Sequence, residues 1–123
     1  MHTIGAAKTI DRIIDVFPPH QQQQIRVQLS SVIQAIISQH LLPKSNGKGR
    51  VAAFEIMVAN PAIRNLIREE KIHQIDTSIQ TGGKHGMQTM DSSLLELYNK
   101  GIISKDTVLN QAVNLETIRR YIF

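Results

Sequence analysis

Apolar residues recur along most of this chain with the spacing of one helix face. Ile10, Ile13, Ile14 and Phe17 follow i, i+3, i+4, i+7, which predicts a helix over residues 5–17. Pro18 and Pro19 end it, because proline lacks the backbone donor and restricts the residue before it. Ile25, Leu29, Val32, Ile33, Ile36 and Ile37 form a second stripe, which predicts a helix over residues 20–41. The glutamine run 21–24 is its solvated first turn, since glutamine is a good helix former. Residues 43–49, Pro-Lys-Ser-Asn-Gly-Lys-Gly, are a turn cluster. The apolar run 51–58 then predicts a buried strand, paired through the turn with residues near 40–43. Glu55 interrupts that run, and a strand-end or edge position with its carboxylate in water accounts for it.

Beyond Asn60-Pro61 the helical period returns. Asn60 is a good N-cap and Pro61 suits the first helical position. Ile63, Leu66 and Ile67 face inward, and Ile72, Ile75 and Ile79 mark another short helix that ends in the glycines of 81–86. Thr89 or Asp91 caps the next helix, carrying Leu94, Leu95 and Tyr98 and closed by Gly101. Ser104 caps a helix with Val108, Leu109 and Ala112, and Asn114 opens a last one with Leu115, Ile118 and Ile122. The fold class is mainly α with a short β-hairpin.

Composition narrows the chemistry. In 123 residues there is no cysteine, which excludes disulfides, thiolate zinc, a cysteine nucleophile and iron–sulfur clusters. The net charge of +4 comes from scattered basic residues, so an acidic partner is allowed and not demanded. Aromatics are 4% and no basic reading helix is visible, which argues against nucleic acid. The longest apolar stretch, 51–59, is far short of the roughly 20 residues that span a bilayer, so no membrane span is expected.

No motif for catalysis is complete. Gly82-Gly83-Lys84-His85-Gly86 superficially resembles a phosphate loop, but His85 stands where Ser or Thr is needed and a helix precedes it. His2, His20, His40, His73 and His85 make no zinc-binding pair on a helix. The strongest constellation is Arg64 and Arg68, one turn apart with Lys71 continuing the row and Asn65 and Glu69 beside it. Aligned guanidinium groups can clamp carboxylates or phosphates, but on composition alone an ordinary solvated face is the favoured explanation.

The run Pro61-Ala62-Ile63-Arg64-Asn65-Leu66-Ile67-Arg68-Glu69 resembles the signature segment of the twitching-motility ATPases that retract type IV pili, in the secretion-ATPase superfamily. Met1-His2-Thr3 is similar to that family's histidine box. The runs 7–18, 49–57, 79–82 and 86–91 are similar to the helix after the box, the strand before the signature and the segment after it. The resemblance implies the C-terminal part of a RecA-like α/β ATPase domain plus its helical C-terminal subdomain. Residues 1–59 would be the remnant of the ATPase core and 60–123 the subdomain. The PAS-like domain and the Walker A and B regions would lie outside this chain, which contains no Gly-x-x-x-x-Gly-Lys-Ser/Thr. His2 would be the box histidine near the nucleotide γ-phosphate. Arg64, Asn65, Arg68 and Glu69 would couple ATP turnover to retraction.

The resemblance further implies ATP and magnesium in the intact motor and none for this chain alone. It implies neighbouring subunits of a hexamer and a pilus-base platform protein as partners, and a cytoplasmic place at the inner face of the membrane. The alternative reading is a freestanding helical interaction module without ATPase activity. Cut off from a RecA sheet, the Ile-rich stripes of residues 5–17 and 20–41 are expected to lack a partner, leaving the half from residue 60 onward the better folded.

Overall fold

The computed structural model describes residues 5–122. Helix α1 (Ala6–Asp15) and helix α2 (Pro19–Val32) lead into an antiparallel hairpin of β1 (Ala35–Pro43) and β2 (Arg50–Val58). Helix α3 (Pro61–Arg68), a 3-10 turn (Ile72–Gln74), α4 (Ile75–Gln80) and a second 3-10 turn (Gly83–His85) follow. Helices α5 (Met90–Asn99), α6 (Lys105–Gln111) and α7 (Leu115–Ile122) complete the described chain. The architecture is mainly helical with one hairpin, as the apolar pattern indicates.

The helix ends follow the cap chemistry. The Asn60 side chain accepts from Ile63 N at 2.9 Å, and Pro61 opens α3. Thr89 caps α5 by accepting from Ser92 N, and Ser104 caps α6 by accepting from Thr107 N. Asp91 has a different task. Its two carboxylate oxygens accept from Val113 N at 2.7 Å and Asn114 N at 2.8 Å, which fixes the start of α7 against the first turn of α5.

The second predicted helix is corrected. It ends at Val32, and Ile33 is already extended at φ −67°, ψ 138°. Residues 35–43 then form β1, a longer strand than the 40–43 partner expected. Two forces win here. Ser30 and Ser31 return their hydroxyls to the carbonyls of Val27 and Gln28, and the β-branched Val32, Ile33, Ile36 and Ile37 lose rotamer freedom in a helix. The nine residues of β1 pair in full with β2, from Ala35↔Val58 to Pro43↔Arg50. The loop between them is tied down by Ser45, whose N–H donates to Ile102 O and whose hydroxyl donates to Gly101 O.

Two apolar clusters lie along the inner face of this hairpin. At one end Met57 and the partly buried Ile36 join Ala6, Ile10 and Ile14 of α1, Ile63 and Ile67 of α3, and Ile72, Ile75, Ile79 and Met87. At the other end Leu42 and Ala53 join Met90, Leu94, Ile103, Val108 and Ile118. Both clusters therefore draw on residues before and after residue 60. Ile10 and Ile14 of the α1 stripe are not orphaned, because α1 packs against α2, the first 3-10 turn, α4 and the hairpin. The large apolar side chains left in water are Ile13, Val16, Val27 and Val32 in the first two helical segments, Ile37 and Leu41 on the hairpin's outer face, and Val113, Leu115 and Tyr121 at and before α7.

Ile10→Ala should cost about 2–5 kcal/mol, as much as Ile67→Ala in the same cluster, because each removes a fully buried side chain. Val16→Ala, at 76% exposure, should stay within about 0.5 kcal/mol. Urea melts of the three variants check this, and a neutral Ile10→Ala would show that α1 does not belong to the cooperative core.

Candidate functional site

The signature segment is α3, and its neighbours decide what its polar residues can do. Ile63 and Ile67 are fully buried, so the helix is rotated by its apolar side into the first cluster. That rotation leaves Arg64 half-buried and Asn65, Arg68 and Glu69 exposed. Arg64 Nη1 donates to the carbonyl oxygen of Ser30 at 2.7 Å. Ser30 lies in the last turn of α2, where carbonyls have no partner within the helix and the helix dipole favours a cation. Arg64 is thus the C-terminal cap of a different helix.

The remaining predicted residues cluster at the far end of α3. Arg68 Nη2 donates to Asn65 Oδ1. The Arg68 carbonyl accepts from Gln23 Nε2 at 3.0 Å, so a glutamine of the 21–24 run caps α3 in return. Glu69 pairs with Lys71 at 3.6 Å on the surface. Glu70 adopts φ 65°, the left-handed turn that ends the helix, and Lys71 N closes it onto Leu66 O at 2.8 Å. The Glu70 carboxylate lies 3.4 Å from Arg26 Nη2 of α2. The structure thus gives Arg64 and Arg68 different engagements, one with α2 and one with Asn65 on its own helix. His2 lies outside the described residues.

Glu55 corrects an expectation. It is 6% exposed, not at a wet strand end. Period two puts Ala53, Glu55 and Met57 on the inner face, so Glu55 falls between the two apolar clusters, opposite Ser38. Its Oε1 accepts from Ala6 N at 2.7 Å and so caps α1. Gly5 makes the approach possible: its φ is 108°, and a Cβ there would stand 3.4 Å from Glu55 Oε1. Burial pushes the Glu55 carboxyl pKa up, the Ala6 amide opposes the shift, and the charges of Asp76 and Asp91 add to it. The available signal was the lone carboxylate within an apolar run, which fits a helix cap as well as a strand edge.

Among the described residues no group of three or more His, Asp or Glu side chains could hold a metal ion. The glycine run 82–86 is packed as a turn: a Cβ on Gly82 would lie 2.7 Å from Met87 Cε, and Gly86 takes φ 85°. Nor is any described helix long and apolar enough to cross a membrane.

No protein-family model matches the chain. It is 52% identical over 118 residues to a twitching motility protein of Neisseria gonorrhoeae, covering 96% of this chain and 32% of the relative. It is 53% identical over 112 residues to the type IV pilus retraction ATPase PilT of Pseudomonas aeruginosa, again 32% of that protein. Its fold superposes on the solved pilus retraction motor PilT, crystallised with bound ADP, with a TM-score of 0.83 and 43% identity over 98% of this chain. The Legionella pneumophila ATPase DotB shares the fold with a TM-score of 0.69 at 23% identity. By fold and sequence, then, the chain resembles a portion of an ATPase of the PilT kind. More narrowly, it is similar across nearly its whole length to the retraction ATPases of type IV pili, and it spans about a third of the length of these relatives.

Arg64→Ala should lower stability by about 1.5–3 kcal/mol, the range for a hydrogen bond to a charged group, while Arg68→Ala stays within about 0.5 kcal/mol. Urea denaturation measures both, and equal effects would deny Arg64 its capping role. Glu55 gives a pH signature. A carboxyl with a raised folded pKa stabilises the fold below its ordinary value of 4.5, and that increment is lost as pH rises through the folded pKa. Between about pH 4 and pH 7 the wild-type chain should therefore lose stability relative to Glu55→Gln. Parallel stability–pH curves for the two proteins would sink the assignment.

Proposed function

We propose that this chain is the C-terminal portion of a subunit of a hexameric ATP-driven motor that retracts type IV pili, and that it couples ATP hydrolysis to pilus disassembly. The observation that carries this reading is the identity of 52–53% with a twitching motility protein and a pilus retraction ATPase over more than nine-tenths of the chain. On this reading Arg68, Asn65 and Glu69 form the exposed coupling surface of α3, and Arg64 holds that surface against α2. His2 is the residue offered toward the nucleotide.

On the same reading ATP and magnesium are the cofactors of the intact motor, as the ADP bound to the solved pilus retraction motor suggests. Neighbouring subunits and a platform protein at the pilus base are its partners, at the cytoplasmic face of the inner membrane. Phosphoryl transfer needs donors around the phosphates, a positioned water and a bound magnesium, and this chain supplies at most the histidine.

The test is a transplant. The corresponding third of the Pseudomonas aeruginosa PilT is replaced by this chain, and twitching is measured in a strain lacking its own motor. The transplant should restore twitching, and Arg68→Ala within it should reduce twitching by more than tenfold while hexamers still form. The isolated chain should show no ATP turnover above background. A transplant that assembles and hydrolyses ATP yet never moves the cells would favour the freestanding interaction module instead.

A further inference from the structure

One guanidinium stands against the end of the signature helix. Arg26 of α2 keeps only 12% of its side chain exposed. Its Nη1 donates to Gln23 Oε1 at 3.2 Å, and its Nη2 lies 3.4 Å from the Glu70 carboxylate. Its Nε is buried and has no acceptor among the described residues. Its polar anchorage is therefore the fork of its two Nη groups.

Both limbs of that fork end on the backbone that closes α3. Gln23 has an acceptor end and a donor end. Its Oε1 is taken by Arg26, so Nε2 faces the other way, onto the carbonyl oxygen of Arg68 at 3.0 Å. A flipped amide would set Nε2 against the guanidinium and Oε1 against the carbonyl. Arg26 thus selects the one orientation in which Gln23 caps α3. Glu70 is the other limb. Among the described residues it alone has a positive φ, 65°, without being glycine. Helices commonly place glycine there, because an L side chain is disfavoured in this conformation. Here the residue has a side chain, and its carboxylate meets Arg26.

Between the two limbs lies the segment of interest. Arg68 owns the carbonyl that Gln23 reaches, Glu69 follows it, and Glu70 is the second anchor. Arg68 in turn donates to Asn65. Every one of these contacts is made between α2 and the end of α3. A lysine cannot substitute in this geometry. Two acceptors are held by two nitrogens of one planar group, whereas an ammonium is a single point.

We propose that Arg26 is the positioning residue of the coupling segment, fixing through Gln23 and Glu70 the backbone that carries Arg68 and Glu69. The proposal rests on the reading of this chain as part of a retraction motor, and its test separates the two. The first measurement needs no motor. In NMR spectra of the 123-residue chain, Arg26→Met and Arg26→Lys should each speed solvent exchange of the Gln23 side-chain amide at least threefold. Arg26→Lys keeps the charge and the aliphatic stem, so circular dichroism should show it folded. Unchanged exchange in Arg26→Lys overturns the fork.

The second measurement uses the transplanted motor. Both variants should still form hexamers and turn over ATP within twofold of the unmodified transplant, while twitching falls at least tenfold. A residue that merely supports the fold would lower turnover and twitching together, and that result overturns the proposal. So does an Arg26→Lys motor that twitches like the unmodified one, since charge alone would then suffice. An unmodified transplant that never twitches removes the motor reading, and the coupling role of Arg26 falls with it. An unmodified transplant that twitches alongside a fully active Arg26→Lys removes only the proposal for Arg26.

Discussion

The rest of the molecule depends on the register of one hairpin. Ala53, Glu55 and Met57 share the inner face of β2, and Ile36, Ser38, His40 and Leu42 share that of β1. A slip of one residue would turn both sets outward and strand two apolar clusters at once. The hairpin's length is matched to this task. Its open end supplies Ile36 and Met57 to the cluster of α1, α3 and α4, while its turn end supplies Leu42 and Ala53 to the cluster of α5, α6 and α7. A shorter strand would serve one cluster only. The Ser45 bonds to Gly101 and Ile102 hold the turn end in place, and the Gln88 exchange with Ile56 holds the outer edge.

Between the clusters the inner face is polar, and that break is used. A buried carboxylate with no partner would be costly. Glu55 instead meets the first free amide of α1, which also needs a partner. Each group offsets part of the desolvation cost of the other, and the position of α1 is set by a strand far from it in sequence. Asp91 repeats the device at α7, where one carboxylate receives two successive amides. Arg64 is the cationic counterpart at a helix C-terminus. Three helices are therefore fixed at one end by a charged side chain from another element, a directional constraint that apolar packing alone does not provide.

How much of this the sequence discloses depends on whether the cause is local. The caps at Asn60, Thr89 and Ser104 act within four residues, so their side chains announce the helices they open. The isoleucine stripes of α1 and α3 likewise declare their buried sides. The stretch 33–37 is another matter. Its apolar residues satisfy both a helical and a two-residue period, and only pairing with a segment some twenty residues later selects the strand. Glu55 was legible as an anomaly and Asp91 as a candidate cap, while their partners, Ala6 and Val113, lie too far away in sequence for any spacing rule. The site shows the same division. The arginines of α3 are visible as a row, but the rotation that separates Arg64 from Arg68 is set by the burial of Ile63 and Ile67.

That rotation explains why the signature segment combines so many polar residues with so little freedom. The α2–α3 joint is latched in both directions: Arg64 reaches the end of α2, and Gln23 of α2 reaches the end of α3. Arg26 and Glu70 add an ion pair across the same joint, with Arg26 largely buried and Glu70 exposed. α2 in turn leads directly into β1, so the polar latch ties α3 to the element that precedes the hairpin on which both clusters rest. Apolar contacts can slide with little loss, whereas a guanidinium on a carbonyl has one good geometry. The latch fixes α3 against α2 next to the hairpin, and Asn65, Arg68 and Glu69 remain exposed on its outward side.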